Sequence, residues 1–144
     1  MSVDVVTEAR IARPRAEVAA FACDPDNATR WYENIKSVQW ETPPPLAVGT
    51  RIAFVARFLG RPLSYTYEVR EHVPGERFVM ATSEGPFPME TTYEFSDAGD
   101  ETLMRLRNRG EPSGFANVAA PLMARSMRRA NRKDLDNLKE LLET

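Results

Sequence analysis

The sequence is poor in the residues that most often build disulfides, metal centres and acid–base sites. It contains one cysteine, Cys23, and one histidine, His72, in 144 residues. A single cysteine excludes an internal disulfide and suits a reducing cytoplasm. One cysteine and one histidine also give no cluster of metal ligands. We therefore expect a cytoplasmic protein with no metal site and no cofactor.

A strong charge imbalance and a long apolar run are also lacking. The 19 basic and 21 acidic residues leave a net charge of −2, which gives no overall attraction to nucleic acid or to an anionic membrane. No apolar run approaches the about 20 residues of a membrane-spanning helix. The first ten residues contain Asp4 and no long apolar stretch, unlike a signal peptide. Glycine-rich phosphate-binding patterns are absent as well.

What remains is the composition of an ordinary globular chain. Apolar residues make up 42% of the sequence and charged residues 28%, which excludes a disordered protein. The length predicts one domain, residues 1–144, with one sizeable core.

Most of the first 110 residues alternate with the period of two that is typical of half-buried strands. The first strand places Val5, Thr7, Ala9 and Ile11 on one face. Two short helices follow, the first beginning near Pro14 and the second capped by Asp24 or Asp26 and anchored by Trp31. Five or six further strands run from residue 37 to residue 110, separated by turns rich in proline and glycine.

The segment 61–73, RPLSYTYEVREHV, carries two tyrosines on its predicted inner face. Leu63, Tyr65, Tyr67 and Val69 share that face. A buried phenol must find a hydrogen-bond partner or lose stability, so a plain core favours Phe or Leu there. We therefore interpret this strand as a cavity wall. The alternative is a filled core whose hydroxyl groups reach its edge or a buried water.

After residue 113 the period changes to 3.6, which predicts an amphipathic helix of roughly 28 residues. Ser113 is a candidate cap, and Pro121 either begins the helix or bends it. Methionine and alanine dominate the first half of its apolar face, and such side chains leave room for a ligand. The predicted apolar stripe contains Met123, Met127, Ala130, Leu138 and Leu141, with Ala120, Ala124, Leu135 and Leu142 beside it.

The outward faces of the last two strands carry opposite charges. Glu90 and Glu94 lie on one strand, and Arg105, Arg107 and Arg109 lie on the next. In a hairpin these side chains face each other as cross-strand ion pairs. This arrangement argues against a nucleic-acid-binding patch.

The order and spacing of several short motifs resemble the SRPBCC superfamily of START-like, helix-grip proteins, which are related to the birch-pollen allergen and often labelled polyketide cyclase/dehydrase. The motifs are RWYENIKSVQW, VGTRIAF, YTYEVREHVPGERFVM, GPFPMETTYEF, ETLMRLRNRG and DLDNLKELLE, and the resemblance spans residues 3 to 143. The resemblance implies an α+β helix-grip fold. A curved seven-stranded antiparallel sheet would wrap around the long C-terminal helix, with two short helices after the first strand and a deep apolar cavity between sheet and helix.

Fold alone does not choose among the functions of this superfamily. We expect the binding or transport of a small hydrophobic molecule, either a lipid or an aromatic polyketide-like compound. The alternatives are a polyketide aromatase/cyclase or dehydratase using the same cavity, and a protein-interaction module. A homodimer stays open, and no catalytic residue is assigned. The predicted cavity residues are Phe54, Phe58, Tyr65, Tyr67, Met89, Thr91, Tyr93, Met104, Asn108, Met123 and Met127, with Arg61 near the mouth.

Overall fold

The computed structural model describes residues 3–58, 60–82, 88–111 and 120–144, apart from the side chain of Phe58. Within these ranges the helices are α1 (Arg15–Ala22), α2 (Ala28–Trp31) and α3 (Ala120–Glu143), with a 3-10 turn at Pro25–Asn27 before α2. None of the described helices is long and apolar enough to cross a membrane. The strands are β1 (Val3–Ile11), β2 (Ile35–Trp40), β3 (Arg51–Phe58), β4 (Arg61–Val73), β5 (Arg77–Thr82), β6 (Met89–Ala98) and β7 (Glu101–Gly110).

The described strands form one antiparallel sheet of seven strands in the order β1-β7-β6-β5-β4-β3-β2. Strands β2 to β7 follow one another as neighbours, and β1 closes the arrangement by pairing with β7. Since α3 packs against this sheet, the predicted α+β helix-grip fold is confirmed.

β1 shows why the alternating pattern was informative. Its residues are buried and exposed in strict alternation from Val3 to Ile11, as the sequence predicted.

The polar side of α3 is hydrogen-bonded to this edge strand. The Arg132 guanidinium donates to the Glu8 carbonyl at 2.9 Å, and the Lys139 ammonium donates to the Arg10 carbonyl at 2.7 Å. The helix therefore covers an edge whose backbone groups would otherwise be open to another strand.

Pro121 lies in the first turn of α3. At that position the missing N–H costs no bond within the described helix, which begins at Ala120. The predicted cap, Ser113, falls within 112–119, outside the described residues.

The predicted apolar stripe of α3 is rotated from the one in the structure. Leu141 was predicted to be buried and is 38% exposed, so that prediction is wrong. The buried face instead includes Leu135, Leu138 and two polar residues, Asn131 and Asp134. Polar residues on a buried face are invisible to a search for apolar periodicity, which is why the stripe was misplaced.

The outer face of the sheet carries cross-strand ion pairs, as predicted, but only one pair joins the predicted partners. Because β7 lies between β6 and β1, two of its arginines pair with acids of β1. The pairs are Arg109–Glu90 at 3.1 Å, Arg105–Glu8 at 3.3 Å, Arg107–Asp4 at 2.6 Å and Arg77–Glu94 at 2.8 Å.

Candidate functional site

A cavity of about 100 Å³ lies between the inner face of the sheet and the segment that contains α1 and α2. Ala22, Cys23 and Ala28 form the helical side of its wall. Asp24 and Pro25 complete that side, and Asp24 is exposed, so the cavity reaches the surface there. Asp24 also fixes this segment, because its carboxylate accepts the Asp26 backbone N–H at 3.0 Å and caps the 3-10 turn.

The sheet side of the cavity is mainly apolar. Strands β3 and β5 supply Ile52, Phe54, Phe78 and Met80, all buried, and β2 supplies Ile35. Alternation along β3 and β5 places their side chains on one face. In β2 the register shifts between Ile35 and Ser37. The cavity therefore offers an apolar ligand the contacts that it would lose in water.

Two phenol hydroxyls meet on the wall of the cavity. The hydroxyl oxygens of Tyr32 and Tyr93 are 2.5 Å apart and share a hydrogen bond. Tyr93 comes from the inner face of β6, and Tyr32 directly follows α2. Burial is the main cause that raises the pKa of both phenols. The hydrogen bond between them lowers the pKa of Tyr32 and raises that of Tyr93. Both tyrosines are therefore neutral at physiological pH.

A second polar group lies on neighbouring strands. The Thr91 hydroxyl donates to the amide oxygen of Asn108 at 2.7 Å, and both residues are buried and line the cavity. Tyr67 lines it too, with its ring 5.7 Å from that of Phe54. Burial raises the pKa of the Tyr67 phenol, and the nearby Thr91 hydroxyl offsets part of this rise. The buried tyrosines of YTYEV and METTYEF thus find polar partners.

The thiol of Cys23 also faces this cavity, but burial raises its pKa to about 12. It is protonated at neutral pH and unsuited to nucleophilic chemistry. No group of three or more metal-binding side chains occurs in the part of the chain that the structure describes.

The structure brings together only part of the predicted site. Phe54, Tyr67, Thr91, Tyr93 and Asn108 line the cavity, whereas Tyr65 lies on β4 outside the described lining. Met104 is fully buried in the main core. Met89, Met123 and Met127 pack in a separate apolar cluster with Val3 and Val5. The side chain of Phe58 lies outside the described residues. A ligand role for any of these side chains remains a prediction.

The position of the cavity differs from the one expected between sheet and terminal helix. The described lining contains no residue of α3, because Leu135 and Leu138 of that helix fill the main core against the sheet. The segment containing α1 and α2 forms the facing wall instead. Arg61, predicted near the mouth, is exposed at the start of β4 and does not contribute to the described lining. His72 is partly buried and packs edge-on to Phe78, with 5.7 Å between the ring centres.

Sequence reasoning missed Tyr32 as a site residue. It follows a helix of only four residues, in which no periodicity can be recognised. The available signal was its neighbour Trp31, a predicted anchor whose ring lies 4.1 Å from that of Tyr32. A side chain next to a buried anchor is drawn towards the core with it.

Comparisons with known proteins agree with this fold. A family model described as "Polyketide cyclase / dehydrase and lipid transport" matches residues 2–143. The structure of TTHA0849 from Thermus thermophilus is similar with a TM-score of 0.81 and 23% identity, over 95% of this chain and 94% of that one. The di-domain ARO/CYC StfQ from the steffimycin biosynthetic pathway gives 0.83 and 11%, over 99% of this chain and 52% of that one.

Ara h 8.0201 is similar with a TM-score of 0.66 and 11% identity, over 96% of this chain and 99% of that one. Identities this low establish a shared fold and no shared activity. No curated protein matches the chain in sequence.

Proposed function

Because the chain belongs to the polyketide cyclase/dehydrase and lipid transport family of the SRPBCC superfamily, we propose that it binds or carries a small hydrophobic molecule in the cavity beside α1 and α2. The observation that carries this proposal is the cavity lining. Its walls are largely apolar, and its few polar groups are hydroxyls, one amide and one thiol, with the Asp24 carboxylate at the exposed mouth. This is the composition of small-molecule sites.

The size of the cavity supports a compact ligand. Pockets for drug-sized molecules usually measure about 300–1,000 Å³, whereas this cavity measures about 100 Å³. A ligand of about one ring suits that space, and a longer one would extend past the exposed Asp24.

The single cysteine, buried and reduced, supports our proposal of a cytoplasmic location.

A polyketide cyclase or dehydratase is the second candidate, favoured by the family description. Neutral phenols could polarise a ketone in such an enzyme. The reaction would also need a group that takes a proton near neutral pH. In the described lining, the carboxylate of Asp24 lies at the exposed mouth and the thiol of Cys23 holds its proton. This arrangement supports binding more than catalysis.

The proposal is tested by titrating an apolar fluorescent probe against the native protein and two matched variants of α1. Ala22 lines the cavity and is 5% exposed, whereas Ala20 on the same helix faces solvent. We expect Ala22→Leu to occupy the cavity and weaken probe binding at least tenfold. Ala20→Leu adds the same atoms outside the cavity and should leave the affinity within about twofold.

Thermal unfolding of both variants shows whether the fold is retained. The absence of any saturable site in the native protein would overturn the proposal. Equal effects of the two substitutions would place the probe outside this cavity and would contradict it as well.

A further inference from the structure

The hydroxyl pair on the cavity wall has two protons, but the hydrogen bond between the two groups needs only one of them. Tyr32 and Tyr93 each carry one O–H group, and one hydrogen bond of 2.5 Å joins the two oxygens. Among the described residues neither hydroxyl makes another hydrogen bond. One O–H group is therefore left as a donor on the wall of the cavity.

Burial decides which tyrosine keeps the free donor. Tyr93 is 2% exposed, and its ring lies between those of Trp31 and Phe78, at 5.7 Å and 5.6 Å between centres. The Tyr32 oxygen is the acceptor within its reach, so Tyr93 donates to Tyr32. Tyr32, a residue that lines the cavity and is only partly buried, then keeps the O–H that is available to a ligand. Accepting a bond from Tyr93 also makes this hydroxyl a better donor.

The charges around the pair restrict the kind of ligand it can meet. Both phenols are neutral, because burial raises their pKa values, and the negative charge of Asp134 raises that of Tyr32 further. The thiol of Cys23, which also interacts with both phenols, remains protonated. The carboxylate of Asp24 lies at the exposed mouth, so the described lining offers a cationic amine no anion beside the hydroxyl pair. A neutral molecule with an acceptor oxygen fits the available donor.

The other polar group offers a donor too. The amide oxygen of Asn108 is occupied by the Thr91 hydroxyl, which leaves the amide nitrogen as the donating end of that side chain. A ligand hydroxyl would bring its own proton and need an acceptor in return. A carbonyl oxygen only accepts, so it matches the two donors that these pairs leave unused, the Tyr32 hydroxyl and the Asn108 amide nitrogen.

We propose that the Tyr32 hydroxyl, held in place by Tyr93, is the group that selects a carbonyl-bearing ligand in this cavity. The ligand class is a compact, neutral aromatic ketone or aldehyde. The apolar wall holds the ring, and Tyr32 donates to the carbonyl oxygen. This inference rests on the proposed function, since the ligand must first enter the cavity.

The test uses acetophenone and α-methylstyrene, which have nearly the same shape but carry C=O and C=CH2 respectively. Dissociation constants are measured by competition with the apolar probe for the wild type, Tyr32→Phe and Tyr65→Phe. Tyr65 is the matched control because its hydroxyl lies outside the described lining. We expect the preference for the ketone over the alkene to fall roughly five- to tenfold in Tyr32→Phe. It should stay within about twofold of wild type in Tyr65→Phe.

Infrared spectroscopy of the bound ketone reads the hydrogen bond directly. The C=O stretch should lie at lower frequency than in a hydrocarbon solvent, and it should return towards the hydrocarbon value in Tyr32→Phe.

The outcomes separate the two proposals. If neither ligand competes with the probe and the probe itself has no site, the proposed function fails. If both ligands bind but the carbonyl stretch of the wild-type complex matches the hydrocarbon value, the cavity stands and the role of Tyr32 is overturned. An unchanged ketone preference in a folded Tyr32→Phe variant overturns it equally.

Discussion

Asp134 places a carboxyl group on the buried face of α3, where it is 4% exposed. Its oxygen accepts the backbone N–H of Glu33 at 3.0 Å, which ties the chain after α2 to the long helix. Desolvation nevertheless raises its pKa to about 6, because this one bond does not replace the lost hydration. The residue therefore connects two elements at some cost in stability at neutral pH.

The pH dependence of that cost can be measured. A carboxyl with a pKa of about 6 in the folded state and 3.8 otherwise binds its proton more tightly when folded. Its stabilising effect is complete below pH 3.8 and is lost as the pH rises through about 6. We expect Asp134→Asn, which keeps an acceptor for Glu33, to gain up to about 3 kcal/mol over wild type between pH 4 and pH 8.

Urea unfolding at several pH values checks this expectation. Asp136→Asn is the control, because Asp136 lies on the exposed side of the same helix and pairs with Arg132 at 3.4 Å. The difference between that control and wild type should change little with pH. A free-energy difference for Asp134→Asn that is independent of pH would contradict the argument.

At the scale of elements, α2 is too short to be stable by itself. Its four residues cannot repay the cost of helix nucleation. Tertiary contacts hold it in place: the Trp31 side chain is 1% exposed, and the Asn137 amide donates to the Trp31 carbonyl at 3.2 Å. The position of Tyr32, and thus of the hydroxyl pair, depends on this anchor.

Replacing Trp31 should destabilise the whole fold and not only α2. We expect Trp31→Ala to lower the free energy of unfolding by about 3–5 kcal/mol, since a large buried ring leaves a cavity behind. Trp40→Ala provides the comparison. Trp40 is partly buried on the edge strand β2, where its indole N–H donates to Asp26 at 2.8 Å. Its loss should cost about 1–2 kcal/mol. Denaturant unfolding of both variants measures the difference, and equal losses would show that Trp31 does not anchor α2.

At the scale of the whole molecule, the sheet separates a charged outer face from an inner face that carries the core and the cavity. β6 shows both: Tyr93 and Phe95 are buried, whereas the Glu94 side chain between them is 43% exposed and pairs with Arg77. Exposed ion pairs contribute about 0–1 kcal/mol each. The ion pairs of the outer face therefore add little to stability and take no part in the cavity.

This division predicts opposite results for neighbouring residues. Glu94→Ala should change the free energy of unfolding by less than about 1 kcal/mol and leave probe binding unchanged. Phe95→Ala, one position away on the inner face, should cost about 3–5 kcal/mol. Denaturant unfolding and probe titration of the two variants make the comparison. A loss of several kcal/mol in Glu94→Ala would show that the assignment of the two faces is inverted.

The sequence by itself determined the elements and their faces. Alternation along β1 and β7 predicted which side chains are buried, because successive side chains of a strand point to opposite faces and the apolar face packs away from water. The break near Pro121 and the helical period after it predicted α3. The resemblance supplied the number of strands and the way the sheet and the terminal helix pack.

Only the tertiary structure decided which predicted residues meet. Met127 and Tyr67 were both predicted to line the cavity, but the first packs against the cluster that contains Val3 and Val5, and the second reaches the cavity. Strand order moved the partners of Arg105 and Arg107 from β6 to β1. The site residue Tyr32 and the buried Asp134 escaped prediction for the same physical reason. Local periodicity reports the hydrophobicity of a face, whereas a polar group becomes buried only through contacts with residues far away in the chain.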